Sequence, residues 1–322
     1  MGLIMKNIWK GAAGLLAGLA AAEVGGSLYL YNRTMKRHEG ATEKDKERTM
    51  KMSGTDWDQY MPLIQKRKEY MMQQPHEDVY LVSEDGLRLH ATYFPRGDEK
   101  KLAICFHGYT SHGMSDYIGL SDFYFDTGFS MLLPDARAHG ESEGEYIGFG
   151  CLDRKDALLW INWAVEQCGE DVQILLHGTS MGGATVLMAT GLELPKQVKG
   201  VVADCGFTSP KEVFSNVLQN WYHMPPFPML KIADAINKKQ AGYGLDECNA
   251  AREVKKAKVP ALLIHGSDDT FVPCAMCHEI YNNYAGKKRK LIIIGAAHAE
   301  SYYKDMDQYE GALEDFMEDV II

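Results

Sequence analysis

The sequence predicts an α/β protein with a mostly parallel sheet flanked by helices, and three observations predict it. Six short apolar runs recur along the chain: "LAICFHG", "FSMLLPD", "VQILLHG", "VKGVVADCG", "VPALLIHG" and "KLIIIGAAH". They are continuous rather than alternating, which marks strands buried on both faces. Each is followed by a segment long enough for a helix, the pattern of parallel strands joined by crossovers. Ahead of them, "EDVYLVSEDGLRLHATYFP" reads as two strands around an Asp85-Gly86 turn. In open sheets of this kind ligands bind beyond the carboxyl ends of the strands. The polar residues to follow are therefore those directly after the runs: His107, Asp135, Ser180, Asp269 and His298.

The composition is consistent with such a domain. With 322 residues, 46% hydrophobic and 24% charged, the chain has ordinary globular values and no tract suited to extensive disorder. A formal net charge of -10 argues against a nucleic-acid partner, which calls for a basic face. The seven cysteines are scattered, odd in number and partly inside apolar runs, which suits buried free thiols better than a disulfide framework. Cys274-Ala-Met-Cys277-His278 matches a haem-attachment spacing. It falls where a helix is expected, and no second ligand pair accompanies it, so neither a cofactor nor a metal is expected.

The N-terminus differs from the rest. Lys6 and Lys10 precede "GAAGLLAGLAAAEVGGSLYLY", residues 11–31, interrupted only by Glu23. At about 1.5 Å per residue this stretch would cross a hydrocarbon layer of roughly 30 Å. Three readings compete: a cleaved signal peptide with Ala20-x-Ala22 as its small-residue site, a soluble N-terminal helix, and an uncleaved membrane anchor over residues 1–32 with "LYLY" at the interface. The anchor is favoured. Arg33, Lys36, Arg37, Lys44, Lys46, Arg48 and Lys51 follow it against two lysines before it, which places the main domain on the cytoplasmic side. Residues 33–75 read as a charged connector and one helix from Trp57 to Met72, whose Trp57, Tyr60, Met61, Ile64 and Met71 form a core-facing stripe. Because the core and its functional loops are all expected beyond residue 76, removing residues 1–50 is expected to leave a soluble domain with its activity unchanged.

The sharpest local signal is "GTSMGG", where Ser180 lies between Gly178 and Gly182 at the end of a run and the start of a helix. A serine on a tight strand-to-helix turn needs neighbours without side chains, because their Cβ atoms would collide as the two elements close. Alone, the spacing is equally compatible with an ordinary turn. Four further motifs at run ends remove that ambiguity: "HGYTS" at His107, "DARAHGES" at Asp135, "HGSDDTFVP" at His265 and "GAAHAESY" at His298. Together, over roughly residues 76–322, they resemble the α/β-hydrolase superfamily. The nearest likeness is to serine-aminopeptidase-like and Bem46-like membrane-anchored bacterial hydrolases, related to monoacylglycerol lipase-type esterases. One departure is Ala138, where the family's D-x-R-G-H-G-x-S segment has glycine.

The resemblance implies a serine hydrolase with Ser180 as nucleophile, His298 as base and Asp269 as the residue that orients it, in the chain order this fold uses. A serine hydroxyl attacks only when a base removes its proton, and the base needs a carboxylate to hold its tautomer and offset its charge. The resemblance also implies an oxyanion hole from the backbone N–H groups of Met181 and Tyr109. Asp268 and Asp269 both follow a strand closely enough to reach a histidine, so chemistry alone does not choose between them. The family spacing H-G-x-x-D-x-x-V-P selects Asp269. His107, Asp135, Arg137 and His139 read as braces for their loops rather than reacting groups.

Residues 207–254 break the sheet repeat with short helices and Pro225, Pro226 and Pro228, which implies a cap between the sixth and seventh strands of the family fold. Trp221, Tyr222, Met224, Phe227 and Met229 either line an apolar acyl pocket or fasten the cap to the domain. The expected activity is cleavage of small carboxylic esters or thioesters, of the carboxylesterase type, without cofactor or metal. An aminopeptidase acting on short peptides is the alternative within enzymes, since the same histidine can protonate an amine. A catalytically silent binding protein is the alternative outside them, and it fits poorly with three triad candidates present.

Overall fold

The computed structural model describes residues 23–37, 51–97 and 100–321. Eight strands form one sheet: β1 (Glu77–Val82), β2 (Arg88–Phe94), β3 (Lys101–Phe106), β4 (Ser130–Pro134), β5 (Gln173–Thr179), β6 (Val198–Asp204), β7 (Ala261–Gly266) and β8 (Lys288–Ile293). Their order is β1-β2-β4-β3-β5-β6-β7-β8. The β1–β2 hairpin closes at Asp85-Gly86 and is antiparallel, as is β2 with β4; every other pairing is parallel. All six apolar runs are strands. Helices Asp153–Cys168 and Met181–Ala189 cover one face around Ile104, Leu176 and Val201, and Met306–Val320 covers the other around Leu175, Val202 and Leu262. The central strands thus bury both faces, which is why their runs do not alternate.

The loops after β3 and β4 are tied by buried polar groups. Asp135 accepts hydrogen bonds from His90 Nδ1 at 2.8 Å, Gly113 N at 2.8 Å and Glu141 N at 3.0 Å. Arg137 engages Asp156 through Nε and Nη2, both at 2.8 Å, and Asp85 through Nη1 at 2.9 Å. Ala136 N donates to His107 Nε2 at 2.9 Å, and Thr110 N donates to His139 Nε2 at 3.3 Å. All four residues act as braces here. Ala138, standing where the family has glycine, holds φ at 61° in the left-handed region and is buried.

The N-terminal segment departs from expectation. Residues 23–35 are helical, and Ser27, Tyr31 and Met35 are buried, Tyr31 at 1% exposure. Tyr31 joins the main core and donates to Asn237 Oδ1 at 3.1 Å, so it is not an interfacial aromatic. Lys36 bridges to Tyr146 as an isolated β pair, and the Arg37 guanidinium donates to the Ser142 and Gly140 carbonyls. The core therefore does not begin at residue 76. Residues 1–22, which carry most of the expected anchor, and 38–50 of the connector lie outside the described residues. Among the described residues no helix is long and apolar enough to cross a membrane. The expected helix over residues 57–72 is divided: a 3₁₀ turn, Trp57–Gln59, precedes the α-helix Met61–Met72. Pro62, in the first turn, has no N–H to continue a preceding helix, and Met61 is left 46% exposed while Met71 is buried.

Asp135 makes a testable contribution to stability. Burial by itself raises its pKa, but His90 and the two backbone N–H groups outweigh this and hold it at about 2, against 3.8 ordinarily. A depression of that size corresponds to about 2 kcal/mol favouring the fold once the carboxylate is ionised in both states. That stability is present above about pH 4 and lost as pH falls toward 2. Urea unfolding of wild type and Asp135→Asn is expected to show a clear gap at pH 7 that narrows below pH 3. A gap of equal size at both values would contradict the assignment.

Candidate active site

Ser180 stands at the junction of β5 and the helix Met181–Ala189 with φ 55° and ψ -109°, a region that non-glycine residues rarely occupy. The glycines around it permit that turn. A Cβ on Gly178 would lie 2.1 Å from the Gly182 carbonyl oxygen, and one on Gly182 would lie 1.8 Å from that of Phe106. The helix therefore rests on the strands through bare backbone. Ser180 N donates to the Asp204 carbonyl on β6 at 2.8 Å, which ties the elbow to its neighbouring strand. All nine residues of the helix are buried, in keeping with its apolar character on every side.

The three candidates from β5, β7 and β8 come together. Ser180 Oγ is 2.9 Å from His298 Nε2, and His298 Nδ1 is 2.7 Å from Asp269 Oδ2. All three are buried, with Ser180 at 6% exposure. Asp269 Oδ1 accepts from Phe271 N at 3.0 Å and Val272 N at 2.8 Å. Burial alone would raise its pKa, but the positive charge that His298 can carry, with hydrogen bonds from His265 and His298, holds it well below the usual carboxylate range. Asp268 is exposed and accepts from Ser267 Oγ at 2.6 Å. Asp269 thus binds the His298 ring, while Asp268 accepts from its neighbour Ser267.

The candidate oxyanion residues flank the serine. Met181 is the first residue of its helix, where an N–H has no intrahelical acceptor. The loop carrying Tyr109 presses on the elbow: a Cβ on Gly108 would meet Ser180 Cβ at 3.4 Å. Gly108 N donates to Asp116 Oδ2 at 2.6 Å, and Ser111 Oγ donates to the other carboxylate oxygen. The Tyr109 ring stacks on Phe149 at 5.3 Å, and its hydroxyl donates to the Thr34 carbonyl at 3.1 Å.

The cap is helical at Pro210–Asn220 and Met229–Gln240. Asn216 Nδ2 donates to the Thr270 and Phe271 carbonyls at 2.9 and 3.0 Å, so the cap is fastened to the loop that carries Asp269. Of the expected acyl-pocket residues, Met229 is buried and Trp221 and Tyr222 are half-buried, while Phe227 is 70% exposed and Met224 is exposed too. Those last two lie in the proline-rich turn at the tip of the cap and face solvent instead of enclosing a ligand.

Several residues near the site were not singled out from sequence. His265 served only as a counting landmark, yet its Nε2 donates to the Val272 carbonyl at 2.8 Å and lies 3.3 Å from Asp269 Oδ2. Asp204 accepts from Ser301 Oγ at 3.1 Å and Tyr309 OH at 3.2 Å, and burial pushes its pKa up to about 6. Because Tyr309 donates its proton there, His177 Nε2 must donate to Tyr309 at 3.1 Å and His177 Nδ1 must accept from Tyr124 at 2.6 Å. Burial lowers the His177 pKa to about 3, which suits this neutral form. Ser53 and Thr55, far upstream in the chain, bind the backbone of His298. The position of Asp204 at a strand end was a usable signal; for Ser53 and Thr55 no sequence pattern existed.

Among the described residues, one grouping has metal-ligand chemistry: Cys205, Asp269 and His298 place one donor atom each within 4.8 Å of one another. The His298 ring and Asp269 already bind each other, and burial pushes the Cys205 thiol well above its ordinary value, so it stays protonated and a poor ligand. The trio therefore suits a hydrogen-bonded pair better than a metal. All seven cysteines are free thiols, and Cys274 and Cys277 lie on the helix Cys274–Asn283.

Comparison with known proteins agrees with this architecture. A family model described as alpha/beta hydrolase fold matches residues 103–243. The YqkD protein of Bacillus subtilis is 27% identical, over 70% of this chain and 73% of its own length. The YfhR protein of Escherichia coli K12 is 24% identical, over 75% of this chain and 80% of its own. Among solved structures, the Pyrococcus furiosus esterase Pf2001 superposes with a TM-score of 0.66 at 20% identity, over 79% of this chain and 94% of the esterase. With the matched segment running from β3 through the elbow into the cap, the chain has the α/β-hydrolase fold.

Proposed function

We propose that this hydrolase cleaves carboxylic ester or thioester bonds through Ser180, His298 and Asp269, by way of an acyl-enzyme. The observation that carries the reading is the hydrogen-bonded line from Ser180 Oγ through the His298 ring to Asp269, with the serine on a left-handed elbow. As Ser180 Oγ attacks the acyl carbon, its proton passes to His298 Nε2. Asp269, kept ionised, accepts from Nδ1–H and offsets the imidazolium charge. The Met181 and Tyr109 N–H groups receive the oxyanion. Collapse expels an alcohol or thiol, which takes the proton from Nε2. A water then gives a proton to His298 and attacks the acyl-enzyme; the acid leaves and Ser180 recovers its proton. The likeness to a protein described as an esterase supports an ester substrate.

The membrane reading continues in a restricted form. Because residues 27, 31 and 35 pack on the domain, the apolar stretch outside the described residues is 11–22. In this reading the N-terminal stretch anchors the enzyme to a membrane with the catalytic domain on the cytoplasmic side. Full-length protein is expected to float with anionic vesicles and a chain lacking residues 1–22 to stay behind; equal flotation would remove the tether.

A fluorophosphonate probe tests the nucleophile. Ser180→Ala is expected to fold with an unchanged melting temperature and to lose both ester hydrolysis and labelling. Labelling retained on another serine would end the proposal. Asp269→Asn keeps the shape but favours the wrong imidazole tautomer, a defect of roughly 10⁴ in turnover in the serine-protease case. It is expected to lower kcat by several orders of magnitude while Asp268→Asn changes it little, both assayed on one nitrophenyl ester. The reverse ranking would reassign the acid.

A further inference from the structure

His298 has four hydrogen-bonding groups, and the ring nitrogens account for two of them. The other two, its backbone N–H and C=O, are held by a segment more than 240 residues upstream. His298 N donates to the Ser53 carbonyl at 3.1 Å, and the Thr55 hydroxyl donates to the His298 carbonyl at 3.0 Å across a separation of 243 residues. Thr55 is buried, and its own N–H donates to Ser53 Oγ at 3.3 Å, which shapes the turn that presents both groups. Gly54, at the centre of that turn, has φ 77°, and a Cβ there would touch Ala297 at 3.5 Å.

The loop being held is strained. Ala299, directly after His298, has φ 58°, a conformation that costs a non-glycine residue free energy and persists only when its surroundings fix it. The upstream segment supplies more of that fixing. Tyr60 OH donates to Glu300 Oε1 at 2.7 Å, while Glu300 Oε2 accepts from Ala297 N at 2.8 Å. The Trp57 and Tyr60 rings pack on Tyr303 at 5.6 and 5.3 Å. On the other side of the serine, Thr34 accepts from the Tyr109 hydroxyl. The extension thus reaches the loop of the base and the loop of the candidate oxyanion donor.

The geometry points to Ser53 and Thr55 as positioning residues for His298, making the segment ahead of the sheet a working part of the active site. This inference rests on the proposed role of His298 as base. Thr55 acts through its hydroxyl and Ser53 through its backbone carbonyl; neither touches the reacting atoms. A side chain can bring an imidazole within reach of a serine only if its backbone is placed, and a misplacement of about 1 Å can cost on the order of 10²-fold in rate. Thr55→Val keeps the shape, removes the donor and leaves the His298 carbonyl without that partner.

The test uses full-length protein and one short soluble ester, with wild type and Ser180→Ala as controls. Thr55→Val is expected to lower kcat roughly ten- to a hundredfold, with KM near wild type and fluorophosphonate labelling slowed in parallel. Thr55→Ser, which keeps the hydroxyl, is expected to restore most of the rate. A packing role alone would lower the melting temperature of Thr55→Val without this selective loss of kcat, and that result would overturn the inference. So would a Thr55→Ser variant as slow as Thr55→Val. If Thr55→Val does not fold, Thr55→Ala takes its place, and a wild-type kcat there would likewise overturn the inference. Hydrolysis or labelling that survives in Ser180→Ala would instead refute the proposed function, so the two failures are distinguishable.

Discussion

The close approach of the elbow helix to the sheet is the constraint on which the rest depends. With the Gly182 backbone packed against the Phe106 carbonyl and Gly178 against the Gly182 carbonyl, no side chain fits between them. That contact forces Ser180 into a left-handed conformation and lifts its hydroxyl beyond the strand ends. Gly183 likewise lies against the Asp204 carbonyl, so the start of the helix touches the ends of both β3 and β6, which flank β5 in the sheet. The conformational cost at Ser180 is offset by the burial of the whole helix Met181–Ala189 and by the bond from Ser180 N to Asp204.

Burial then determines how the charged groups are used. Asp135, Asp204 and Asp269 all lie under 10% exposure near strand ends, but their surroundings differ. Asp135 and Asp269 receive backbone N–H groups and histidines, and both stay ionised to unusually low pH. Asp204 receives two hydroxyls, which compensate a buried charge less well, and burial raises its pKa to about 6. The same residue type near strand ends thus braces a loop at Asp135, collects two hydroxyls at Asp204 and binds the His298 ring at Asp269.

The upstream segment changes how the domain is delimited. Tyr31 and Met35 belong to the main core, and residues 53–60 hold the histidine loop. The domain therefore includes residues ahead of its first strand, and the cap, through Asn237 and Asn216, connects to both the extension and the Asp269 loop.

What the sequence by itself determined are the features governed by local rules. Continuous apolar runs located all eight strands together with the Asp85-Gly86 hairpin, because burial on both faces and turn chemistry leave a signal within a few residues. Ser180, Asp269 and His298 were legible because glycines and fixed spacings mark loops that must bend sharply. Only the tertiary structure decided the places of Tyr31, Ser53, Thr55 and Asp204. Tyr31 lies in an apolar stretch that suits a bilayer as well as a protein core, and Phe227 and Met229 look alike in sequence although one faces solvent and the other is buried. Ser53 contributes a backbone carbonyl, which every residue possesses, and Thr55 a single hydroxyl to a partner 243 residues away. Contacts of that kind have no local periodicity or spacing; they exist only once the chain has folded back on itself.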